Sequence, residues 1–139
     1  MDKGEWKKLL RNWGQALEKF NWKEEELEKL KGFHEMQKKV WEGSRLGRAE
    51  RELERMEREY EEAVRGLRIE MVEILREKAK IDDMVKRMTM EEANFLRLRF
   101  EKGYGFDYIG IKMHLSRATL FRMQDKIIEK MERWQNEMQ

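Results

Sequence analysis

Residues 44–88 read SRLGRAERELERMEREYEEAVRGLRIEMVEILREKAKIDDMVKRM, and this stretch decides the fold class. An apolar or aromatic residue returns at every seventh position, while the positions between are dense in Glu and Arg. The repeating residues are Leu46, Leu53, Tyr60, Leu67, Ile74, Ile81 and Met88. Such a repeat is typical of a helix in a coiled coil or an antiparallel hairpin, paired within the chain or between chains. We therefore predict a long heptad helix, with a kink near Gly66 or a new helix start at Asp82-Asp83.

Two amphipathic helices are predicted before this stretch, in residues 1–43. Apolar residues recur there in steps of three and four, which is the spacing of one helix face. Asn21 separates two such sets and is expected to cap the second helix, with Glu24 at the reciprocal capping position. Tryptophans of this region are expected to pack against other helices rather than lie on a membrane surface, and this applies to Trp6, Trp13 and Trp22.

The C-terminal block, residues 89–139, has more glycines and aromatic residues and less charge. Thr89 and Glu92 form a T-x-x-E capping box, and Gly103 stands where a helix would end in a left-handed residue. A short helix is predicted from about Phe106 to Met113, followed by a last helix that Ser116 caps. The chain is therefore expected to divide into an N-terminal helical pair (1–43), a heptad helix for oligomerisation or scaffolding (44–88) and a C-terminal helical domain (89–139).

The composition predicts an all-α protein and excludes several classes. Of 139 residues, 43% are charged, and proline and cysteine are absent. A disulfide scaffold, a thiolate metal site and a cysteine nucleophile are therefore ruled out. The longest run without Asp, Glu, Lys or Arg is the six residues from Asn12 to Leu17, which is too short for a membrane span or a signal-peptide core. We expect a cytoplasmic protein that has no membrane partner.

An enzymatic function is not expected, because the groups that catalysis needs are missing or have structural positions. Of the four hydroxyl residues, Ser44, Thr89 and Ser116 fall at predicted helix starts. His34 and His114 are 80 residues apart and have no neighbouring ligand pattern. The sequence also contains no glycine loop that would cradle a phosphate. We therefore expect no catalytic residues, no metal and no cofactor.

Residues 106–125 meet the physical requirements of a helix-turn-helix. Gly110 is small where the two helices would cross, Leu115 is an apolar anchor in the turn, and Ser116 is a cap. The residues expected to face inward are Phe106, Ile109, Met113, Leu120 and Met123, and those expected to face outward are Arg117, Ala118, Phe121 and Arg122. From Gly110 to Lys126 the net charge is +3, more than the +2 of the whole chain. Positive charge is thus concentrated where such a motif would meet DNA phosphates.

The stretch from Met88 to Met131 resembles the fourth region of bacterial sigma factors, which reads the promoter −35 element. The matching features are LRLRF at 96–100, the GY pair at 103–104 and SRATLFR at 116–122. A charged heptad helix followed by this motif is similar to small phage-encoded sigma-like transcriptional regulators. The chain departs from the sigma pattern at Gly110, where alanine is common, and at His114, where glycine is common and a positive φ or a shifted turn is needed.

The resemblance implies sequence-specific reading of double-stranded DNA, with RNA polymerase as a further candidate partner. It does not extend to promoter opening, because residues 1–88 do not resemble the sigma region that melts the −10 element. Arg117 and Arg122 are the candidates for base-edge or phosphate contacts, since arginine matches guanine bidentately. Ser116 and Thr119 could donate to phosphates, and two lysines would position the duplex. The full predicted DNA-binding set is Lys112, Ser116, Arg117, Ala118, Thr119, Phe121, Arg122 and Lys126.

Two other functions fit the same sequence pattern. A phage small terminase subunit also joins a DNA-binding helical module to oligomerising helices, but it assembles as a ring. A purely structural coiled-coil protein would carry the C-terminal motif incidentally. Under the regulator hypothesis we expect a homo-oligomer, with a dimer favoured by the heptad repeat.

Overall fold

The structure is a computed structural model that describes residues 1–43 and 48–138. All regular secondary structure within these ranges is helical, as predicted. The elements are α1 (Lys3–Gly14), α2 (Ala16–Glu42), α3 (Arg48–Lys86), α4 (Met90–Leu96), a π-helical turn (Arg97–Glu101), α5 (Phe106–Met113) and α6 (Arg117–Glu137). In the described part of the chain, no helix has an apolar stretch long enough to cross a bilayer. The expectations for Ser44 and Leu46 lie outside the described residues.

The junction of the first two helices differs from the prediction. α1 ends at Gly14, and Asn21 is an exposed residue inside α2, so the predicted cap at Asn21 with Glu24 is wrong. A Cβ atom on Gly14 would lie only 2.0 Å from the carbonyl oxygen of Phe100. The break therefore lies where the backbone of the π-helical turn comes too close for any side chain, and such a tertiary contact leaves no capping signal in the sequence.

α3 is one continuous helix through Gly66 to Lys86, so the predicted restart at Asp82-Asp83 is wrong. Asp82 instead belongs to the last turns of α3 and accepts hydrogen bonds from Trp13 Nε1 at 2.8 Å and Lys78 Nζ at 2.7 Å. Burial alone would raise the pKa of Asp82, but these two donors outweigh it and hold the pKa below its ordinary value. This carboxylate anchors α1 to the end of α3 rather than starting a helix.

Two compact units are formed, and they do not coincide with the three blocks of the sequence. The first unit contains Met1–Ala16 and Arg76–Gln139, and the second contains Leu17–Leu75. The long helix α3 therefore contributes its C-terminal end to one unit and the rest to the other. The contiguous blocks of sequence cannot show this, because α1 joins elements that follow it by more than 60 residues.

The second unit is an antiparallel pair made by α2 and the first part of α3. Leu27 of α2 is buried in one cluster with Val64 and Leu67 of α3. Nearer the start of α2, Lys23 pairs with Glu70 at 2.8 Å; nearer its end, the His34 side chain lies 3.0 Å from Glu57. Residues later in α2 thus contact residues earlier in α3, so the two helices are antiparallel. Two members of the heptad repeat of α3, Tyr60 and Leu67, therefore pack against α2 of the same chain.

The first unit has the larger core. Trp6 and Leu10 of α1 are almost completely buried in it, as predicted for Trp6, and Trp6 Nε1 donates a hydrogen bond to Glu132 of α6. The largest fully buried side chains from the later elements are Phe95, Leu96, Ile109, Leu120, Ile127 and Met131. Trp13 is also buried, whereas Trp22 of α2 is 57% exposed, so the packing predicted for Trp22 is not found among the described residues of this chain.

The predicted signals at the helix ends of the C-terminal block are confirmed. The Thr89 side chain accepts from the Glu92 amide, the Glu92 carboxylate accepts from the Thr89 amide, and Gly103 has a positive φ of 72°. Glu92 also accepts from Lys130 Nζ at 2.8 Å through each carboxylate oxygen. Burial would raise the pKa of Glu92, but the bonds from Lys130 and Thr89 overcome that effect and lower it. The capping carboxylate therefore also ties α4 to α6.

Candidate nucleic-acid interface

α5 and α6 are joined by a connection of three residues, 114–116. His114 takes the left-handed conformation with φ 58° and ψ 42°, which is the first of the two alternatives predicted for it, a positive φ or a shifted turn. The Leu115 amide then donates to the Gly110 carbonyl at 2.9 Å. Ser116 caps α6, because its Oγ accepts from the Thr119 amide at 3.2 Å. The chain therefore turns between the two helices within three residues, and the start of α6 is capped.

Gly110 allows the close approach between α5 and this turn. A Cβ atom at this position would lie 2.7 Å from the carbonyl oxygen of Leu115 and 3.6 Å from Leu120 Cδ1. The nearer neighbour is backbone, so it cannot move aside as a flexible side chain would. An alanine at position 110 would therefore force the turn to shift.

The inward side of the α5–α6 pair is apolar. Ile109 and Leu120 are completely buried, and they belong to the same core as the aromatic residues of α1 and α4. The other predicted inward residues pack against that core while staying partly exposed; they are Phe106, Met113 and Met123. Leu115 of the turn does the same. The orientation of α6 is therefore held by the core of the whole unit and not only by α5.

Arg117 lies at the first position of α6, and 64% of its side chain is exposed. Its guanidinium is 3.5 Å from the carboxylate of Asp107, which is itself 84% exposed. Its Cζ also lies 5.7 Å from the centre of the Phe121 ring. An ion pair this exposed is weak in water, so a phosphate or a base edge can replace Asp107 as the partner of Arg117 at little cost.

Arg122 and the two hydroxyl residues form a small network on the same end of α6. Arg122 Nη2 is 3.4 Å from Thr119 Oγ1, and that oxygen is 2.8 Å from Ser116 Oγ. One hydroxyl must donate to the other, and the Ser116 oxygen already accepts from the backbone. The pair can therefore offer one hydroxyl hydrogen to a phosphate, rather than the two expected from the sequence.

Phe121 is less available than predicted. Its side chain is 43% exposed, but its ring centre lies 4.4 Å from that of Phe106 on α5. Ala118 and Arg122 are exposed. We use the term outer face of α6 for Arg117, Ala118, Phe121 and Arg122. This face carries two cations around a small residue and an aromatic edge, and both of its arginines are exposed.

The flanking cations include one that sequence reasoning missed. Lys112 of α5 and Lys126 of α6 are exposed, as predicted for residues that meet phosphates. Asp125, the acidic residue of this segment, lies 3.2 Å from Lys3 of α1. The local positive charge therefore includes a residue from the start of the chain, and only the fold brings it there.

An aromatic group beside α5 was also missed. The rings of Tyr104 and Tyr108 are 4.4 Å apart, and Lys112 Nζ lies 5.9 Å from the centre of the Tyr108 ring. Arg99 of the π-helical turn lies 4.7 Å above the Phe106 ring and donates to the Tyr104 carbonyl at 3.0 Å. The spacing of four residues between Tyr104, Tyr108 and Lys112 was a usable signal. The role of Arg99 depends on the π-helical turn, which the sequence pattern did not indicate.

Metal ligands are not clustered in the residues that the structure describes, since no three His, Asp or Glu side chains there could hold one ion. His34 stacks on Tyr60 with the ring centres 3.7 Å apart, whereas His114 forms the turn before α6. His34 therefore contributes to the packing of α2 on α3, and His114 contributes to the turn before α6.

Comparison with known proteins finds no matching family model and no significantly similar curated sequence or solved structure. A functional assignment must therefore be argued from the residues and the geometry of the chain itself.

Proposed function

We propose that the protein binds double-stranded DNA sequence-specifically, using α5 and α6 as a helix-turn-helix, and acts as a sigma-like transcriptional regulator of the phage or prophage type. The observation that carries the proposal is the start of α6. It is a capped helix end with Arg117 and Arg122 exposed on one face, while Leu120 on the other face is completely buried. A rigid helix that presents arginines in this way is what major-groove reading requires.

In this mechanism the N-terminal half of α6 enters the major groove, which is about 12 Å wide. Arg117 exchanges Asp107 for a guanine edge or a phosphate, and Arg122 contacts the same groove from one turn further along the helix. The amides at the start of α6 and the one available hydroxyl hydrogen of the Ser116–Thr119 pair meet a phosphate. Lys112 and Lys126 contact the backbone and carry no sequence information.

The transcriptional part of the proposal is supported by the resemblance of Met88–Met131 to the −35-reading region of sigma factors. RNA polymerase is accordingly the protein partner that we propose, with contact rather than promoter opening as the expected role. No catalytic step and no cofactor form part of the proposal.

The first experiment is to select bound sequences from a random pool of DNA duplexes and to titrate the wild-type protein on the selected site. Arg117→Ala should then lose about 1–3 kcal/mol of binding free energy on that site. It should lose much less on a site that is mismatched at the base pair that Arg117 contacts. Lys126→Ala should weaken binding by a similar factor on every sequence and reduce the salt dependence.

Arg58→Ala is the matched control, because Arg58 is an exposed arginine of the α2–α3 unit. It should leave the affinity unchanged. Failure of the wild-type protein to bind any duplex at low salt would refute the proposal, and equal losses for Arg117→Ala on all sequences would refute base reading by this residue.

A further inference from the structure

A second apolar stripe runs along α2, on the side that does not contact α3. Its positions follow one another in steps of 4, 3, 4, 3 and 4 residues, which is coiled-coil spacing. We use the term outer stripe of α2 for Trp22, Glu26, Lys29, Phe33, Met36 and Val40. The four apolar members are 57%, 57%, 65% and 69% exposed, in chain order. The inner side of α2, with Leu27 and Leu30, already packs on α3.

Single exposed apolar side chains are ordinary on protein surfaces, but a regular row of them is not. Trp22 and Phe33 are among the largest side chains of the chain, and each exposes more than half of its surface. A helix that is apolar on two sides is expected to pack on two sides. Among the described residues of the α2–α3 unit, the outer stripe therefore has no partner.

We propose that the outer stripe of α2 is the interface of a homodimer in which α2 pairs antiparallel with α2 of a second copy. The two charged positions in the middle of the stripe select both the partner and the direction. A parallel pair in register would place Glu26 against Glu26 and Lys29 against Lys29, which is repulsive twice. In an antiparallel pair, Glu26 faces Lys29 of the partner subunit and both layers become attractive.

The same register pairs the large apolar residues. When Glu26 faces Lys29 of the partner subunit, Trp22 lies one layer further out and faces Phe33 of the partner subunit. By symmetry, the dimer has two ionic layers in the middle and one aromatic layer at each end of them. Glu26 also has Lys23 of its own helix at 3.6 Å, an exposed pair that can persist or yield in the dimer. Met36 and Val40 continue the stripe beyond these four layers.

This interface differs from the one that the heptad repeat of α3 suggested. That repeat is used within the chain, since Tyr60 and Leu67 of the repeat pack with α2. The dimer proposal also does not depend on DNA binding, because all of its residues belong to the α2–α3 unit. It can therefore fail while the DNA-binding proposal holds, and the reverse is also true.

The test begins with the mass of the full-length protein in solution without DNA, measured by sedimentation equilibrium over a wide range of concentrations. We expect a monomer–dimer equilibrium. Phe33→Lys should raise the dissociation constant at least roughly tenfold, because in a homodimer it removes both aromatic layers and buries two charges. Ile69→Lys is the control, since Ile69 is an apolar residue of α3 with similar exposure, 62% against 57% for Phe33.

Both substitutions are at exposed positions, so helicity measured by circular dichroism should be unchanged in each. A protein that stays monomeric at every concentration would overturn the proposal, and so would a ring of many subunits. Equal weakening by Ile69→Lys and Phe33→Lys would also overturn it, because the interface would then not lie on the outer stripe of α2.

Charge reversal tests the direction of pairing. Glu26→Lys and Lys29→Glu should each weaken the dimer, because each places like charges opposite one another, and the two changes together in one chain should restore it. In a parallel dimer neither single change would introduce a repulsion that the wild type lacks. Unchanged affinity in both single variants would therefore overturn the antiparallel arrangement.

The absence of cysteine from the chain permits a second readout of direction. A mixture of Glu26→Cys and Lys29→Cys proteins should form a disulfide between copies under mild oxidation. Met36→Cys alone should not, because position 36 of the two copies would lie about 25 Å apart along the helices at 1.5 Å per residue. Efficient cross-linking of Met36→Cys to itself would show parallel pairing and contradict the proposal.

Discussion

The α5–α6 segment and the α2–α3 hairpin are both pairs of helices, but they are held together differently. The first has a three-residue turn with a left-handed residue, a helix cap and a glycine where two backbones meet, and its inner face joins a large core. The second has long helices and a small buried cluster of Leu27, Val64 and Leu67. The position of α6 relative to α5 is therefore fixed by several specific contacts. The α2–α3 hairpin is instead held together by apolar residues that recur along its two helices.

The largest expected effect comes from a methyl group added at the helix crossing. Gly110→Ala should lower the free energy of unfolding by about 3 kcal/mol, because the new Cβ would meet the Leu115 carbonyl oxygen at 2.7 Å. Gly66→Ala in α3 is the control: its Cβ would meet nothing within 4 Å, so it should stabilise the protein by about 0.5–1 kcal/mol. Chemical denaturation measures both. Equal effects of the two substitutions would remove the distinction between the two regions.

The next effect concerns the buried ion pair of the first unit. Glu92→Gln keeps the shape and the capping geometry with Thr89 but leaves Lys130 without its anionic partner, and should cost about 2 kcal/mol at neutral pH. Because folding lowers the pKa of Glu92 from its ordinary 4.5, the stabilisation is present above that pH and is lost as the pH falls through the lower folded-state value. Denaturation of both proteins across this range should show the difference shrinking in acid. A gap that stays constant in acid would exclude the charge as its cause.

A smaller effect is expected from the acidic neighbour of Arg117. Asp107→Asn removes the exposed partner of the Arg117 guanidinium, and with it one negative charge beside the helix that is proposed to enter the major groove of DNA. DNA affinity should rise by about 0.5 kcal/mol, since exposed ion pairs are weak. Asp83→Asn, at an exposed position near the end of α3, should have less effect in the same titration. A loss of affinity in Asp107→Asn would instead mean that Asp107 positions Arg117 for binding.

The smallest effect is expected in the hairpin. Lys23 and Glu70 are 2.8 Å apart, as close as Lys130 and Glu92, but their side chains are 34% and 55% exposed, against 22% and 8% for the buried pair. Hydrogen bonding and attraction to Glu70 raise the pKa of Lys23, yet water screens the pair. Lys23→Gln should leave the melting temperature unchanged. A clear drop in the melting temperature would show that the ion pairs of the hairpin contribute more than its small core suggests.

Local signals in the sequence were dependable wherever the nearest neighbours along the chain set the geometry. The capping box at Thr89, the left-handed Gly103 and the cap at Ser116 were all predicted, because each depends on atoms within three or four residues. The predictions at Asn21 and Asp82-Asp83 failed for one common reason. Short polar side chains look like helix starts, but a distant contact decided these places: Gly14 against Phe100, and Asp82 against Trp13.

The candidate site divides in the same way. Helical spacing alone predicts that the arginines face outward and that Leu120 is buried. The contact between the Phe121 and Phe106 rings and the ion pair between Lys3 and Asp125 can be seen only in the tertiary structure. The exposure of Trp22 was also unpredictable, because periodicity marks a residue as apolar without saying which helix side finds a partner.

The sequence alone determined that this chain is helical, that Thr89 and Ser116 cap helices and which residues share a face, because these depend on spacing and on bonds between close neighbours. The tertiary structure decided which faces are covered, that Tyr60 and Leu67 of the heptad repeat pack on α2 within one chain, and that α1 completes the core beneath α6. The physical reason is that burial is a property of two surfaces together, and a periodic pattern describes only one of them.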